Sequence, residues 1–276
     1  MANFTAADVK ELRNRLGAGM MDSKNALVEA DGDMEKAVEL LRLKGQKGNA
    51  KREDRSTSEG LVTAEVNDGT ATLIELACET DFVAKNDRFI ALAARVLAAV
   101  VAAGATSLES AKAASAGDDG TVGEIISSEA AILGEKLELR RVGAVSGEKF
   151  AVYLHKTSKD LPPQVGVIVG YSGDDAETAH SVAQHISFAN PEYISRDEVP
   201  ADIVENERRI VEEISKSEGK PEAALPKIIQ GRLNSFFKQV ALLDQDYAKD
   251  TKQSVGKVLT DAGITVSGFV RYKVGA

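Results

Sequence analysis

Residues 61–78 read Leu61-Val62-Thr63-Ala64-Glu65-Val66-Asn67-Asp68-Gly69-Thr70-Ala71-Thr72-Leu73-Ile74-Glu75-Leu76-Ala77-Cys78. Asn67-Asp68-Gly69 between two runs of strand-forming residues is a strong short-range hairpin signal, so residues 61–66 and 72–78 are expected as antiparallel strands. An alanine-rich helix follows over about 87–103. The order strand, turn, strand, helix returns at 150–188, with strands at 150–155 and 165–171, a turn at Asp174-Asp175 and a helix over about 176–188. That recurrence implies a duplicated α+β core of antiparallel sheets with helices, its halves 61–145 and 146–276.

Between the copies, a short helix is allowed near Leu108 and Ala111, a longer one is expected at 122–133, and a strand at 137–145. The second copy carries a helical excursion over 200–243. Pro200 opens one helix reaching Ser217, Glu218-Gly219-Lys220-Pro221 breaks it, and residues 222–243 supply its antiparallel mate. A helix at 254–262 and a strand at 264–274 close the chain.

Residues 1–45 read as three short helices. Thr5, three before Asp8, caps the first, whose apolar residues Val9, Leu12 and Leu16 recur at spacings of three and four. Gly17-Ala18-Gly19 ends it. The second runs through Ala26 and Leu27 to Ala30, and Asp33 caps the third, which carries Met34, Ala37, Val38, Leu40 and Leu41 and is expected to stop at Gly45. At least one of Met20 and Met21 is expected in the small core; adjacent side chains rarely both point inward, which leaves the other for contact with a partner. Residues 46–60, rich in Lys, Arg, Glu, Asp and Ser, read as a charged linker.

At about 150 residues per domain, the 276-residue chain has room for two. Its 34 Lys and Arg against 43 Asp and Glu leave a formal charge of -9, which argues against nucleic acid as the main partner. One cysteine, Cys78, admits no internal disulfide and no cysteine-based metal site. The start has no signal-peptide pattern and no run reaches membrane-spanning length, so the expected location is cytoplasmic, with no membrane partner. Three histidines, with His180 and His185 five apart on different helix faces, do not suggest a metal centre. Residues 17–24 lack the glycine that precedes the lysine of a phosphate-binding loop. No cofactor is expected.

Two features carry candidate chemistry. Cys78 with His155 offers a nucleophile and a base, although cysteine at the end of an apolar strand behaves more often as a small hydrophobe. The segment Cys78-Glu79-Thr80-Asp81-Phe82-Val83-Ala84-Lys85-Asn86-Asp87 joins a strand to a helix, is densely polar, and yet holds a phenylalanine. Phe82 either folds back on its own helix as a staple or stands out as an aromatic anchor, with Asp81 beside it to accept hydrogen bonds.

Leu12-Arg13, Gly17-Ala18-Gly19-Met20-Met21-Asp22, Lys24-Asn25-Ala26-Leu27 and Asp31-Gly32-Asp33 resemble the first signature of the bacterial elongation factor Ts family. Thr80-Asp81-Phe82-Val83-Ala84-Lys85-Asn86 resembles its second. The likeness continues through Gly134-Glu135-Lys136, Arg140-Arg141-Val142, residues 153–155, 221–236 and Gly268-Phe269-Val270-Arg271-Tyr272. It implies an N-terminal three-helix domain of ubiquitin-associated type and a non-enzymatic guanine-nucleotide exchange factor for elongation factor Tu, binding its GDP and nucleotide-free forms.

By that resemblance Arg13, Met20, Met21 and Lys24 meet a helix of the GTPase domain. Thr80, Asp81, Phe82 and Val83 form the second contact, with Asp81 and Phe82 intruding beside the helices that support magnesium and phosphate. Leu133, Gly134 and His155 supply further contacts, and the second repeat approaches another domain of the partner. Ser23 stands where the family signature has a cysteine, and the loop 156–163 is longer and more charged than the usual turn. The competing readings are an adaptor that binds a ubiquitin-like protein or peptide through residues 5–45 alone, and a thiol hydrolase using Cys78 and His155.

Overall fold

In a computed structural model, which describes residues 3–16 and 18–276, the chain opens with helices α1 (Ala6–Leu16), α2 (Met20–Glu29) and α3 (Met34–Ala50). Thr5 and Asp8 form a reciprocal cap on α1: the Thr5 N–H and hydroxyl both donate to Asp8 Oδ2, and the Asp8 N–H donates back. The Asp33 carboxylate accepts from the Lys36 N–H at the start of α3. Gly17, the expected stop of the first helix, lies outside the described residues. Val9, Leu12, Ala26, Leu27, Ala30, Ala37 and Val38 close the small core, with Met34 packed against it.

Neither Met20 nor Met21 enters that core, contrary to expectation: they are 49% and 63% exposed. The inward face of α2 is set by Ser23, Ala26 and Leu27, and the fully buried Ser23 donates its hydroxyl to Gly19 O at 3.0 Å. Met20 and Met21, at the start of α2, are left to solvent.

Helix α3 does not stop at Gly45. It continues to Ala50 and lies on the core helix that spans Val122–Leu133, because Gly45 is a contact residue: a Cβ there would sit 2.7 Å from the Cβ of Ala131. Just beyond this crossing the Asn49 amide donates to Ser127 O at 2.7 Å. The first residues of the expected linker are therefore helix.

The first sheet contains β1 (Glu59–Asn67), β2 (Thr70–Cys78) and, after the helices α4 (Asp81–Ala84), α5 (Asp87–Ala102), α6 (Leu108–Ala113) and α7 (Val122–Leu133), β3 (Leu137–Ser146). Its order is β1-β2-β3, antiparallel throughout, with Asn67 opposite Thr70 across the Asp68-Gly69 turn. The second sheet has the same plan. Strands β4 (Lys149–His155) and β5 (Val165–Ser172) are followed by α8 (Ala176–Ala189), and the last strand of the chain pairs on the other side of β5.

Between α8 and that strand come α9 (Ala201–Ser217) and α10 (Leu225–Val240), the short pair β6 (Asp246–Tyr247) and β7 (Asp250–Ser254), and α11 (Val255–Asp261); β8 (Thr265–Lys273) closes the sheet. Helix α10 ends at Val240, not at 243. Ala241 turns extended, and the fully buried Leu242 drops into the second core while its N–H donates to Tyr193 O.

The two sheets pack face to face through Val62, Leu73, Val145 and Ile168. Their outer faces carry α5 and α7 on one side and α8 and α11 on the other. The middle strands β2 and β5 are thus buried on both faces, which explains their nearly unbroken apolar runs. The exception is Glu75 in β2, fully buried against the second sheet, where it pairs with Arg141 and Arg140 and accepts from the Gly275 N–H. None of the helices among the described residues is long and apolar enough to cross a membrane.

His185 of α8 is buried and fully partnered. The Ala248 N–H donates to its Nδ1 at 3.1 Å, so the ring proton sits on Nε2, 2.9 Å from Gln245 Oε1. Burial pushes its pKa below the ordinary value, outweighing the bond to Gln245.

Two outcomes follow from this packing. Replacing Gly45 by Val forces α3 off α7 and costs about 1–3 kcal/mol by overpacking; a lowered melting temperature and faster tryptic cleavage after Lys51 and Arg52 are expected, and parental values of both would disprove the close crossing. Because His185 binds its proton more readily when unfolded, stability falls as pH drops below about 6.5 toward its lowered native pKa. The urea midpoint should therefore decline from pH 7.5 to 5.5, and decline less in His185→Gln.

Candidate functional site

Strand β2 ends in the core at Cys78, and the next residues must turn the chain back onto α5. Thr80 makes that turn as the N-cap of α4, its hydroxyl oxygen accepting from the Val83 N–H. In a single helical turn two side chains face in and two face out. Val83 and Ala84 are buried in the first core, and Asp81 and Phe82 take the outer face.

Phe82 is 73% exposed and is not stapled to its own helix. The ammonium of Lys85 lies 4.5 Å from its ring centroid and 3.2 Å from Asp81 Oδ2, bracing both outward side chains. Val83, expected at the contact, is a core residue that fixes the turn from beneath. Thr80, also expected there, is half-buried and turns its hydroxyl inward to Glu135.

What holds this turn comes from 55 residues further along the chain. Glu135 accepts three hydrogen bonds, from Glu79 N–H at 3.1 Å, Thr80 N–H at 3.0 Å and the Thr80 hydroxyl at 2.5 Å. Glu79 answers by accepting from the Lys136 N–H at 2.6 Å. The two carboxylates thus cross-brace two backbone segments. The brace brings Leu133, half-buried on the first core, and the exposed Gly134, in left-handed conformation at the end of α7, to the ridge that carries Asp81 and Phe82.

The same brace captures the segment after α3. Lys136 Nζ donates to Glu53 O at 2.6 Å and Arg55 O at 3.1 Å, and Arg55 pairs with Glu79 at 3.2 Å. Thr57 donates to Glu138 at 2.5 Å. The expected linker is therefore strapped along the core and sets where the N-terminal helices stand relative to Phe82. Arg13, Met20, Met21 and Lys24 are all exposed on the α1–α2 pair, which reaches the Phe82 turn through α3.

His155 ends β4 in the second sheet. Its ring meets the Tyr153 hydroxyl at 3.0 Å, and its carbonyl accepts from the Gln164 N–H. The Gln164 side chain reaches Glu59, which stands opposite Cys78 in the first sheet. His155 is thus placed at the end of the two-sheet stack from which the Phe82 turn emerges. The long loop 156–163 is pinned rather than free, with Leu161 on the first core and Pro163 O accepting from the Val62 N–H.

The thiol reading fails on this geometry. Cys78 is fully buried, its Sγ donates to Thr80 O at 3.3 Å, and burial with the charge of Glu135 pushes its pKa far above that of a reactive thiol. Among the described residues no cluster of His, Cys, Asp and Glu suits a metal ion. What the geometry does build is a braced turn that carries Asp81 and the exposed Phe82 outward. The residues that brace it, Glu79, Glu135 and Lys136, lie in stretches the family likeness covers or the polar segment contains, but nothing in the sequence marked them as partners of one another.

Comparison with known proteins places the chain in a family. The family model described as Elongation factor TS matches residues 79–276, starting at the brace. Over the full length of both chains, the protein is 75% identical to Elongation factor Ts of Clavibacter michiganensis subsp. michiganensis (strain NCPPB 382). It is 69% identical to Elongation factor Ts of Leifsonia xyli subsp. xyli (strain CTCB07), and 56% identical to that of Micrococcus luteus, again with all of each chain covered.

Proposed function

The chain belongs to the elongation factor Ts family, the guanine-nucleotide exchange factors of translation elongation, and from that premise we propose how its ridge drives GDP from elongation factor Tu. In this reading α1 and α2 dock first, through Arg13, Met20, Met21 and Lys24. Asp81 and Phe82 then enter beside the helices that support magnesium and the phosphates, with Leu133, Gly134 and His155 extending the contact. The bound GDP loses its metal and phosphate-loop contacts. The factor needs no cofactor, binds the GDP and nucleotide-free forms, and works in the cytoplasm without a nucleic-acid or membrane partner.

The observation that carries this reading is a phenyl ring 73% exposed on a turn whose neighbours are buried and whose backbone is braced. A protein rarely uses a braced turn to hold an aromatic side chain in water unless a partner covers it. Energetically the demand is moderate, since a thousandfold faster release requires about 4 kcal/mol of barrier lowering. Linkage requires the reverse as well: a factor that weakens GDP binding is itself bound more weakly by the GDP form, by the same ratio. The adaptor reading treats the three helices as an independent module, and the docking of α3 on α7 disfavours it.

Stopped-flow release of fluorescent GDP from elongation factor Tu, chased with unlabelled GDP, tests the proposal. The protein should accelerate release strongly, and Phe82→Ala should cut the acceleration at least tenfold while leaving the melting temperature unchanged, because an exposed ring contributes little to stability. A Phe82→Ala variant that exchanges at the parental rate would sink the mechanism.

A further inference from the structure

Helix α4 is four residues long, well below the length at which a helix persists without outside support. Left to itself the turn would sample many backbone states, and Phe82 would have to be ordered each time a partner covered it. The support comes from one carboxylate. The two backbone N–H groups that precede α4, on Glu79 and Thr80, and the hydroxyl that caps it all donate to Glu135. Glu135 is half-buried, stands directly after the stop of α7, and turns its carboxylate toward the Glu79–Thr80 backbone.

We propose that Glu135 is a positioning residue for exchange: it pre-sets the Thr80 to Ala84 turn so that Phe82 reaches the partner already ordered. The proposal rests on the exchange reading above for its consequence, and on the three hydrogen bonds for its cause. Glu79 completes the device. By accepting from the Lys136 N–H and pairing with Arg55, it ties the same turn to the segment leading from α3. Removing Glu135 leaves the core residues Val83 and Ala84 in place but frees the backbone ahead of them.

Two measurements separate this from a general loss of structure. The chain contains no tryptophan, so Phe82→Trp introduces a single fluorescent reporter at the turn. In that background Glu135→Ala should increase the fast local component of the indole's anisotropy decay, and Glu135→Gln should increase it much less. Glutamine keeps an oxygen for the two N–H groups and turns its amide toward the Thr80 hydroxyl, which then accepts. An anisotropy decay identical with and without Glu135→Ala overturns the proposal.

With Phe82 retained, the GDP-release rate is followed against factor concentration. Glu135→Ala should lower the maximal rate about tenfold, the equivalent of 1.4 kcal/mol of ordering restored to the transition state. The half-saturating concentration should stay within about twofold, because docking through α1 and α2 is untouched. Glu135→Gln should recover to within about threefold of the parent. An unchanged maximal rate with a raised half-saturating concentration would mean only that less folded protein is present, and would refute the positioning role. If the parent itself does not accelerate release, the exchange reading falls, and the anisotropy result alone decides whether Glu135 orders the turn.

Discussion

The close approach of the two sheets governs everything else in this molecule. Along β5 the residues facing the first sheet are Gly166, Ile168 and Gly170, and those facing α8 are Val167, Val169 and Tyr171. A Cβ on Gly166 would lie 2.8 Å from Leu73, and one on Gly170 2.7 Å from Val145. The missing side chains let β5 settle against β2 and β3, and the sheets share one apolar layer. Two antiparallel sheets that bury each other's faces leave only their outer faces for helices, which is where both copies of the repeat put them.

This packing explains why the functional turn can be short. Strand β2 is buried on both faces and tied by Glu75 to Arg141, whose guanidinium also reaches Lys273 O and lies over the Tyr272 ring. A buried carboxylate is costly unless its partners are in place, so this network resists any sliding of β2 against β8. The chain that leaves β2 at Cys78 therefore starts from an immobile point. What remains to be ordered is the step from Glu79 to Ala84, and there the carboxylates of Glu79 and Glu135 serve. In a chain of formal charge -9, three acidic residues in this small region repel one another. Backbone N–H groups, Arg55 and Lys85 offset that repulsion, and leave Asp81 with Phe82 as the outward pair.

The local grammar of the fold was legible in the residue order. The hairpin at Asp68-Gly69, the caps at Thr5 and Asp33, the helix over 122–133 and the recurrence of strand, strand and helix all depend on neighbours within a few positions. The misreadings depend on residues far away. Gly45 looks like a helix stop until Ala131 is placed against it, and Leu242 looks helical until Tyr193 and the second core draw it out. One of Met20 and Met21 looks like a core residue until Ser23 takes the inward position. At the site, Asp81 and Phe82 stood out as an aromatic among polar residues, and the family signature named them. That Thr80 and Val83 also support the turn follows only from Glu135 and the first core, neither of which periodicity reveals.

The energetics of exchange also favour a braced turn over a loose one. Full burial of a phenylalanine contributes about 1.5–3 kcal/mol. A thousandfold acceleration needs about 4 kcal/mol, so Phe82 alone falls short even if its whole exposed surface is covered. Ordering a free turn at the moment of contact would subtract about 1–2 kcal/mol for each residue fixed, which would cancel the entire gain from the ring. With the backbone already held by Glu135 and the ring braced by Lys85, that ordering is completed during folding, and the burial energy reaches the partner nearly whole. In the proposed mechanism the remainder falls to the exposed methionines on α2, whose flexible side chains suit a partner surface. The segment strapped between them by Lys136 and Arg55 fixes the spacing that the proposed two-region contact requires.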